Sequence, residues 1–155
     1  MTEELNTHFG LASREHLSSI VSLLVDDQFG AGREITGDEL DERYVAAFAA
    51  IEADPNNELI VAEHDGSVVG TLQITYAPNL THKGTTRATL EGVRVASSLR
   101  SSGIGTRMLN WAIERCQSRG CRLIQLTTDL ERDDAMQFYR RLGFKHTHAG
   151  LKLWL

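Results

Sequence analysis

Residues 90–106 read Leu-Glu-Gly-Val-Arg-Val-Ala-Ser-Ser-Leu-Arg-Ser-Ser-Gly-Ile-Gly-Thr, and the fold turns on them. A β-branched run passes through a polar turn into Gly103 and Gly105, and an amphipathic segment follows at once. This pattern predicts a strand feeding the exposed N-terminus of a helix. The first turn of a helix carries N–H groups without partners and the positive end of the helix dipole, so such a junction binds phosphate without needing a basic side chain.

Downstream, Ile104, Met108, Leu109, Ala112, Ile113 and Cys116 recur at helical spacing, and Gly120 is placed to end that helix. Leu123–Thr128 is expected as a buried strand. A further helix is expected over Asp133–Leu142, with Ala135, Phe138, Tyr139 and Leu142 on one side and Gly143 as its stop. Phe144–Thr147 and Leu151–Leu155 are expected to close the chain as a hairpin over Ala149-Gly150. Upstream, the strand at about Ala88–Ala96 has a broken pattern. Leu90 falls on one face by parity and Val93 and Val95 on the other, so either both faces are buried or a bulge near Glu91-Gly92 shifts the register.

Earlier still, Leu59–Glu63 and Val68–Tyr76 form a hairpin across Asp65-Gly66, a pair suited to the positive φ angles of a type I′ turn. A first strand is expected over 6–12. Ser13 is expected to cap a helix carrying Leu17, Ile20, Val21 and Leu24. A second helix is expected from the capping-box spacing Thr36–Glu39, with Leu40, Tyr44, Ala47, Phe48 and Ile51 as its stripe and Asp54-Pro55 as its stop. The order is β-α-α-β-β-β-α-β-α-β-β, an α/β fold with a mixed sheet in one domain over 1–155.

The 155 residues suffice to bury roughly 70% of the surface the unfolded chain exposes. Cys116 and Cys121 do not form a Cys-x-x-Cys pair and are expected as reduced thiols. No apolar run approaches the roughly 20 residues that span a bilayer. The N-terminus lacks a basic region ahead of a hydrophobic one, and a cytoplasmic location is expected. The net charge of −5 argues against nucleic acid or an anionic membrane as partner and would welcome a cationic small molecule. His146 and His148 are spaced for one face of a strand, too few ligands for a metal, and no metal is expected. The acidic run Glu34, Asp38, Glu39, Asp41 and Glu42 reads as a solvated helix face or as a lure for a cationic amine.

The glycine loop fits neither common nucleotide fingerprint. A P-loop needs Gly-Lys-Ser/Thr, and Gly105 is followed by Thr106 and Arg107; a dinucleotide fold needs a third glycine where Met108 stands. What the chain has is Arg100-x-x-Gly103-x-Gly105 after Val-Arg-Val, then a helix, a strand and Ala135-x-x-Phe138-Tyr139-x-x-Leu142-Gly143-Phe144. Over about residues 90–145 this resembles the GNAT superfamily, the GCN-related N-acetyltransferases.

The resemblance implies a mixed, mostly antiparallel sheet flanked by helices, with acetyl-CoA in a splayed, V-shaped cleft between the fourth and fifth strands. It implies that backbone N–H groups of Ser101, Ser102, Gly103, Ile104, Gly105 and Thr106, next to Arg100, hold the pyrophosphate. It also implies that the strand Val93, Arg94, Val95 pairs with the pantetheine arm.

Direct attack of an amine on the thioester must strip a proton from an alkylammonium of pKa about 10.4 and release a thiolate of pKa about 8.5. By resemblance Tyr139 is the acid at sulfur, and Glu91, nine residues before Arg100, is the base acting through water. A backbone N–H near Val93 is the expected oxyanion donor. On residue chemistry alone Tyr139 also reads as helix stripe, and Glu91 as a salt-bridge partner of Arg87 or Arg94. Arg132 stands where many members have Asn. The acceptor is expected to be a small-molecule amine, possible as a cation, shaped by Phe29–Gly37 and Ala77–Thr86, with His82 a candidate contact. The alternatives are a non-catalytic acyl-CoA-binding or regulatory module, or transfer of another acyl group or to a hydroxyl. The apolar Leu151–Leu155 leaves a homodimer open.

Overall fold

The computed structural model describes residues 6–27, 30–35, 37 and 39–155. The expected capping residue Thr36, Asp38 of the acidic run and Phe29 at the start of the acceptor loop lie outside the described residues. Chain contacts separate two compact units, Met1–Gln125 and Leu126–Leu155.

The first unit is built on a sheet in the order β1 (Thr7–Leu11), β2 (Asn57–His64), β3 (Ser67–Pro78), β4 (Thr86–Val95) and β5 (Leu123–Leu126). The first four strands pair antiparallel, and β5, whose first three residues close this unit, runs parallel to β4. The sheet is therefore mixed and mostly antiparallel. The hairpin between β2 and β3 turns over Asp65 and Gly66 at φ 48° and 75°, the two left-handed residues of a type I′ turn.

Parity puts Glu58, Ile60 and Ala62 of β2, Gly70, Leu72, Ile74 and Tyr76 of β3, and Ala88 and Leu90 of β4 on one face. The helix α4 (Ile104–Ser118) covers that face, and Ile60, Leu72, Ile74, Ile104, Met108 and Leu109 are sealed from water. Gly70 is needed there because a β-carbon would lie 3.2 Å from Met108 Sδ, from Ala62 Cβ and from the Arg94 carbonyl. A buried carboxylate crosses this layer. Glu58, 8% exposed, accepts a two-pronged bond from Arg115 (Nε 3.0 Å, a terminal nitrogen 2.7 Å) and a third from the Tyr76 hydroxyl at 2.8 Å. Burial opposes its charge, and the bonds from Arg115 and Tyr76 outweigh it, so its pKa lies below the ordinary value.

The opposite face is covered only in part. On it α1 (Leu17–Val25) and α2 (Glu42–Ala53) bury Leu17, Val21 and Phe48 against Leu59. The entry to α1 is a short 3₁₀ turn, Arg14–His16, where the Ser13 backbone N–H donates to His16 Nδ1 at 3.0 Å. Helix α2 begins later than its sequence suggests. Asp41 is its N-cap, accepting from the Arg43 backbone N–H at 2.9 Å, and it also binds the Arg43 guanidinium. Glu34 accepts from Tyr44 Oη at 2.8 Å and pairs with Arg33, so these two acids serve local structure.

In the second unit α5 (Asp133–Arg141) is followed by 144–155 without regular structure. The expected closing hairpin is absent: Leu151, Leu153, Trp154 and Leu155 are exposed, and the alternation that suggested strands has no ladder to join. His146 and His148 accordingly share no strand face.

Candidate active site

The broken pattern in β4 is a bulge. Gln73 faces Glu91 and Thr71 faces Arg94, so two residues, Gly92 and Val93, stand opposite Leu72 alone. Gly92 has φ 60°, the left-handed geometry of a bulge built on glycine. The bulge bends the strand and leaves backbone without a regular ladder partner beside Val93. It also resets parity, so that Glu91 and Arg94 share the face opposite α4 although three residues apart.

Their surroundings differ. Glu91 is exposed and has no hydrogen-bond or ion-pair partner among the described residues. The salt bridges weighed for it do not form: Arg87 bonds Thr81 Oγ1 and Gln125 Oε1, while Arg94 approaches Asp27 at 3.5 Å and donates to the Val93 carbonyl at 2.8 Å.

Beyond Val95 the chain makes a 3₁₀ turn over Ser97–Leu99 and climbs into α4 through Ser101 at φ 64° and Gly103 at φ 88°. A β-carbon on Gly103 would meet nothing within 4 Å, so glycine is required there by conformation and not by space. The helix N-terminus has no side-chain cap and no acid in its first turn. Ser101, Ser102, Gly103 and Thr106 are exposed around it, Gly105 is half-buried, and Ile104 is buried beneath as the anchor. The loop is tethered to the end of α1. Asp26 accepts from the Ser97 N–H at 2.9 Å, which holds its carboxyl below the usual range, and the Asp26 carbonyl accepts from Arg100 at 2.9 Å.

Tyr139 lies in the second unit on α5. Gly143, at φ 93°, ends that helix: its N–H donates to the Arg140 carbonyl at 3.0 Å, and Phe144 N–H donates to the Tyr139 carbonyl at 3.1 Å. These are the two bonds of a Schellman stop, whose customary apolar contact is supplied by the Tyr139 and Phe144 rings, 5.8 Å apart. The spacing Tyr-x-x-x-Gly-Phe is thus a folding signal in its own right. The same stop ends α4, where Gly120 and Cys121 donate to Gln117 and Cys116. Burial pushes the Cys116 thiol up to about 12. Arg132 stands at the N-cap of α5, its carbonyl accepting from Met136.

A model of the acetyltransferase (GNAT) family matches residues 17–144, which take in the bulged strand, the glycine loop and α5. The chain belongs to the GNAT family. An aminoalkylphosphonate N-acetyltransferase from Salmonella typhimurium is 34% identical over 116 residues, 74% of this chain and 75% of that protein. The crystal structure of a protein from Bacillus halodurans C-125 described as a transcriptional regulator is 48% identical. It superposes with a TM-score of 0.94 over 97% of this chain and all of that one (100%). A protein from Clostridium acetobutylicum, described as a predicted acetyltransferase and solved with acetyl-CoA, shares the fold at a TM-score of 0.73 and 21% identity, with 95% of each chain covered.

The loop suits what a GNAT protein must hold. An uncapped helix N-terminus preceded by two left-handed residues offers backbone N–H groups, the kind of donor a pyrophosphate requires, although the Ser102 N–H is engaged by the Leu99 carbonyl at 3.3 Å. Sequence reasoning missed Asp26 and Asp27. They carry no motif, and only the fold brings them to Ser97, Arg100 and Arg94, some seventy residues on.

Proposed function

We propose that this protein transfers the acetyl group of acetyl-CoA to a primary amine of a small molecule by direct attack. The observation that carries the reading is Glu91: an exposed carboxylate without a partner, one residue before a glycine bulge, on a strand that runs into an uncapped phosphate-type helix N-terminus. Bound acetyl-CoA would supply an activated acyl thioester. Backbone N–H groups of Ser101–Thr106 would hold its pyrophosphate, and the backbone of Val93, Arg94 and Val95 its pantetheine arm. Glu91 takes the proton of the incoming ammonium, through water. Backbone freed by the bulge near Val93 donates to the oxygen on which charge develops. Tyr139 is assigned, from its place in the family motif, to the proton that the leaving thiolate needs.

The aminoalkylphosphonate acetyltransferase among the relatives places such amines first in a panel with amino acids, polyamines and aminoglycosides. The expected result is amine-dependent release of free thiol from acetyl-CoA with an acetylated product seen by mass spectrometry. Tyr139→Phe should lower turnover at least tenfold, and unchanged turnover removes Tyr139 from the mechanism. A second reading, a regulatory acyl-CoA-binding module, is favoured by the description of the Bacillus halodurans protein. Binding of acetyl-CoA without turnover across the whole panel would establish that reading in place of the first.

A further inference from the structure

The face of the sheet opposite α4 is polar where the helices leave it bare. Asn57 Oδ1 of β2 accepts from Thr75 Oγ1 at 2.8 Å and Gln73 Nε2 at 3.2 Å, both on β3. Across the ladder Gln73 faces Glu91, Thr75 faces Thr89 and the small Ala77 faces Arg87. Gln125 of β5 donates to Thr89 Oγ1 at 3.1 Å and accepts from Arg87 at 3.3 Å. Four strands therefore offer one continuous row of hydrogen-bonding side chains, with Glu91 toward one end and Arg87 toward the other.

Arg87 is the conspicuous member. It is half-buried, its Nε is buried without a hydrogen-bond partner, and no carboxylate among the described residues pairs with it. Its terminal nitrogens reach only neutral oxygens, Thr81 Oγ1 at 3.0 Å and Gln125 Oε1. Two other arginines on this side of the sheet meet acids: Arg94 meets Asp27 and Arg43 meets Asp41. A guanidinium held by neutral acceptors keeps its charge uncompensated, and a planar fork of donors is the group that best matches a carboxylate or a phosphonate. The turn that supplies Thr81, the one-turn segment α3 (Thr81–Gly84), holds His82 and Lys83 at φ 52° and 63°, followed by Gly84 at 74°. Left-handed geometry costs roughly 1–2 kcal/mol per non-glycine residue, so this turn is held against its own preference beside Arg87.

We infer that Arg87, with Thr81, Thr89 and Gln125, is the subsite for an anionic group carried by the acceptor amine itself, so that the substrate is a short amino-phosphonate or amino-carboxylate. Successive side chains on one strand face stand about 7 Å apart, so Thr89 separates Glu91 from Arg87 by two such steps. Those two steps come to about 14 Å, more than a short zwitterion spans, and the gap is closed by the length of Arg87, whose guanidinium shares Gln125 with Thr89, and by the water through which Glu91 acts, so that the ammonium lies toward Glu91 and the anion toward the guanidinium. This rests on the acetyltransferase reading, with Glu91 as the base, and it adds the substrate class.

The test compares 2-aminoethylphosphonate, β-alanine and propylamine as acceptors in wild type, Arg87→Gln and Arg87→Lys. The expected ratio of kcat/KM for 2-aminoethylphosphonate over propylamine falls at least tenfold in Arg87→Gln and is partly restored in Arg87→Lys. The β-alanine arm shows whether carboxylate or phosphonate is preferred, and the proposal stands on either. An unchanged ratio, or propylamine as the better substrate of the wild type, overturns it. Titration with methylphosphonate, followed by amide NMR, reads the same subsite without turnover. Binding that weakens at least tenfold in Arg87→Gln supports the subsite even if no amine is acetylated, which would sink the reaction and not the anion site. Methylphosphonate that binds both proteins equally overturns the site.

Discussion

The two faces of β3 and β4 are made from alternate residues of the same strands, yet they do opposite work. Toward α4, Leu72, Ile74 and Leu90 are sealed against Ile104, Met108 and Leu109, and Glu58 of the neighbouring β2 is bound by Arg115 and Tyr76. Toward the other side, Gln73, Thr75, Arg87, Thr89 and Glu91 reach solvent or one another, and the Glu91 carboxylate has no partner among the described residues. A carboxylate that is fully bonded holds elements together and cannot accept a substrate proton cheaply. An unbonded one adds little to stability and is available for chemistry. On the proposed function, the packed side carries the phosphate loop and the open side receives the acceptor.

This contrast can be broken at three points. Leu72→Ala removes a side chain with no exposure and should cost about 3 kcal/mol in urea unfolding, with the catalytic constants of the remaining folded protein little changed. A loss below about 1 kcal/mol would mean the α4 face is not the packed side. Glu91→Gln should do the reverse: turnover with the best amine falls about 100-fold, equivalent to about 2.7 kcal/mol of barrier, while the unfolding midpoint stays put. A large loss of stability with turnover preserved would make Glu91 structural. Gly92→Ala is the smallest and sits between them. A β-carbon there has room, its nearest neighbour being Leu24 Cδ2 at 3.9 Å, so the cost is conformational and about 1 kcal/mol. Crystallographic or NMR observation of an unbulged β4 in that variant, with stability unchanged, would show that the bulge is not needed.

Much of the first unit was legible because its signals are local. Asp65-Gly66 specified its turn, Gly120 specified a helix stop, as Gly143 does in the second unit, and the parity clash between Leu90 and Val93 narrowed β4 to a strand buried on both faces or a bulge, of which the bulge is found. Local signals also misled. Asp41 caps α2 where the spacing Thr36–Glu39 pointed upstream, because a cap is chosen by which residue the packed stripe of Tyr44 and Phe48 leaves at the helix start. The alternating apolar residues of Leu151–Leu155 looked like a strand, but alternation becomes one only where an edge is offered. What sequence could not supply were partners far apart along the chain: Glu58 with Arg115, Asp27 with Arg94, Arg87 with Gln125. None of these pairs has a spacing rule, since each is set by strand order and the placing of a helix over the sheet.

The extra residue in β4 has a consequence for how this protein tolerates change. Side chains along the polar row can be exchanged one at a time without disturbing the ladder, so an acceptor preference seated there, as proposed, is free to drift. Chain length between Glu91 and Arg94 is not free in that way. Deleting one residue there would restore strict alternation and keep Arg94 on the face it shares with Glu91, but it would remove the bend and the backbone without a ladder partner beside Val93, on the strand that leads into the glycine loop. Inserting one would oblige the strand to absorb a second unpaired residue. Descendants of this sequence are therefore expected to vary by substitution along the polar face while keeping the count of residues through the bulge fixed.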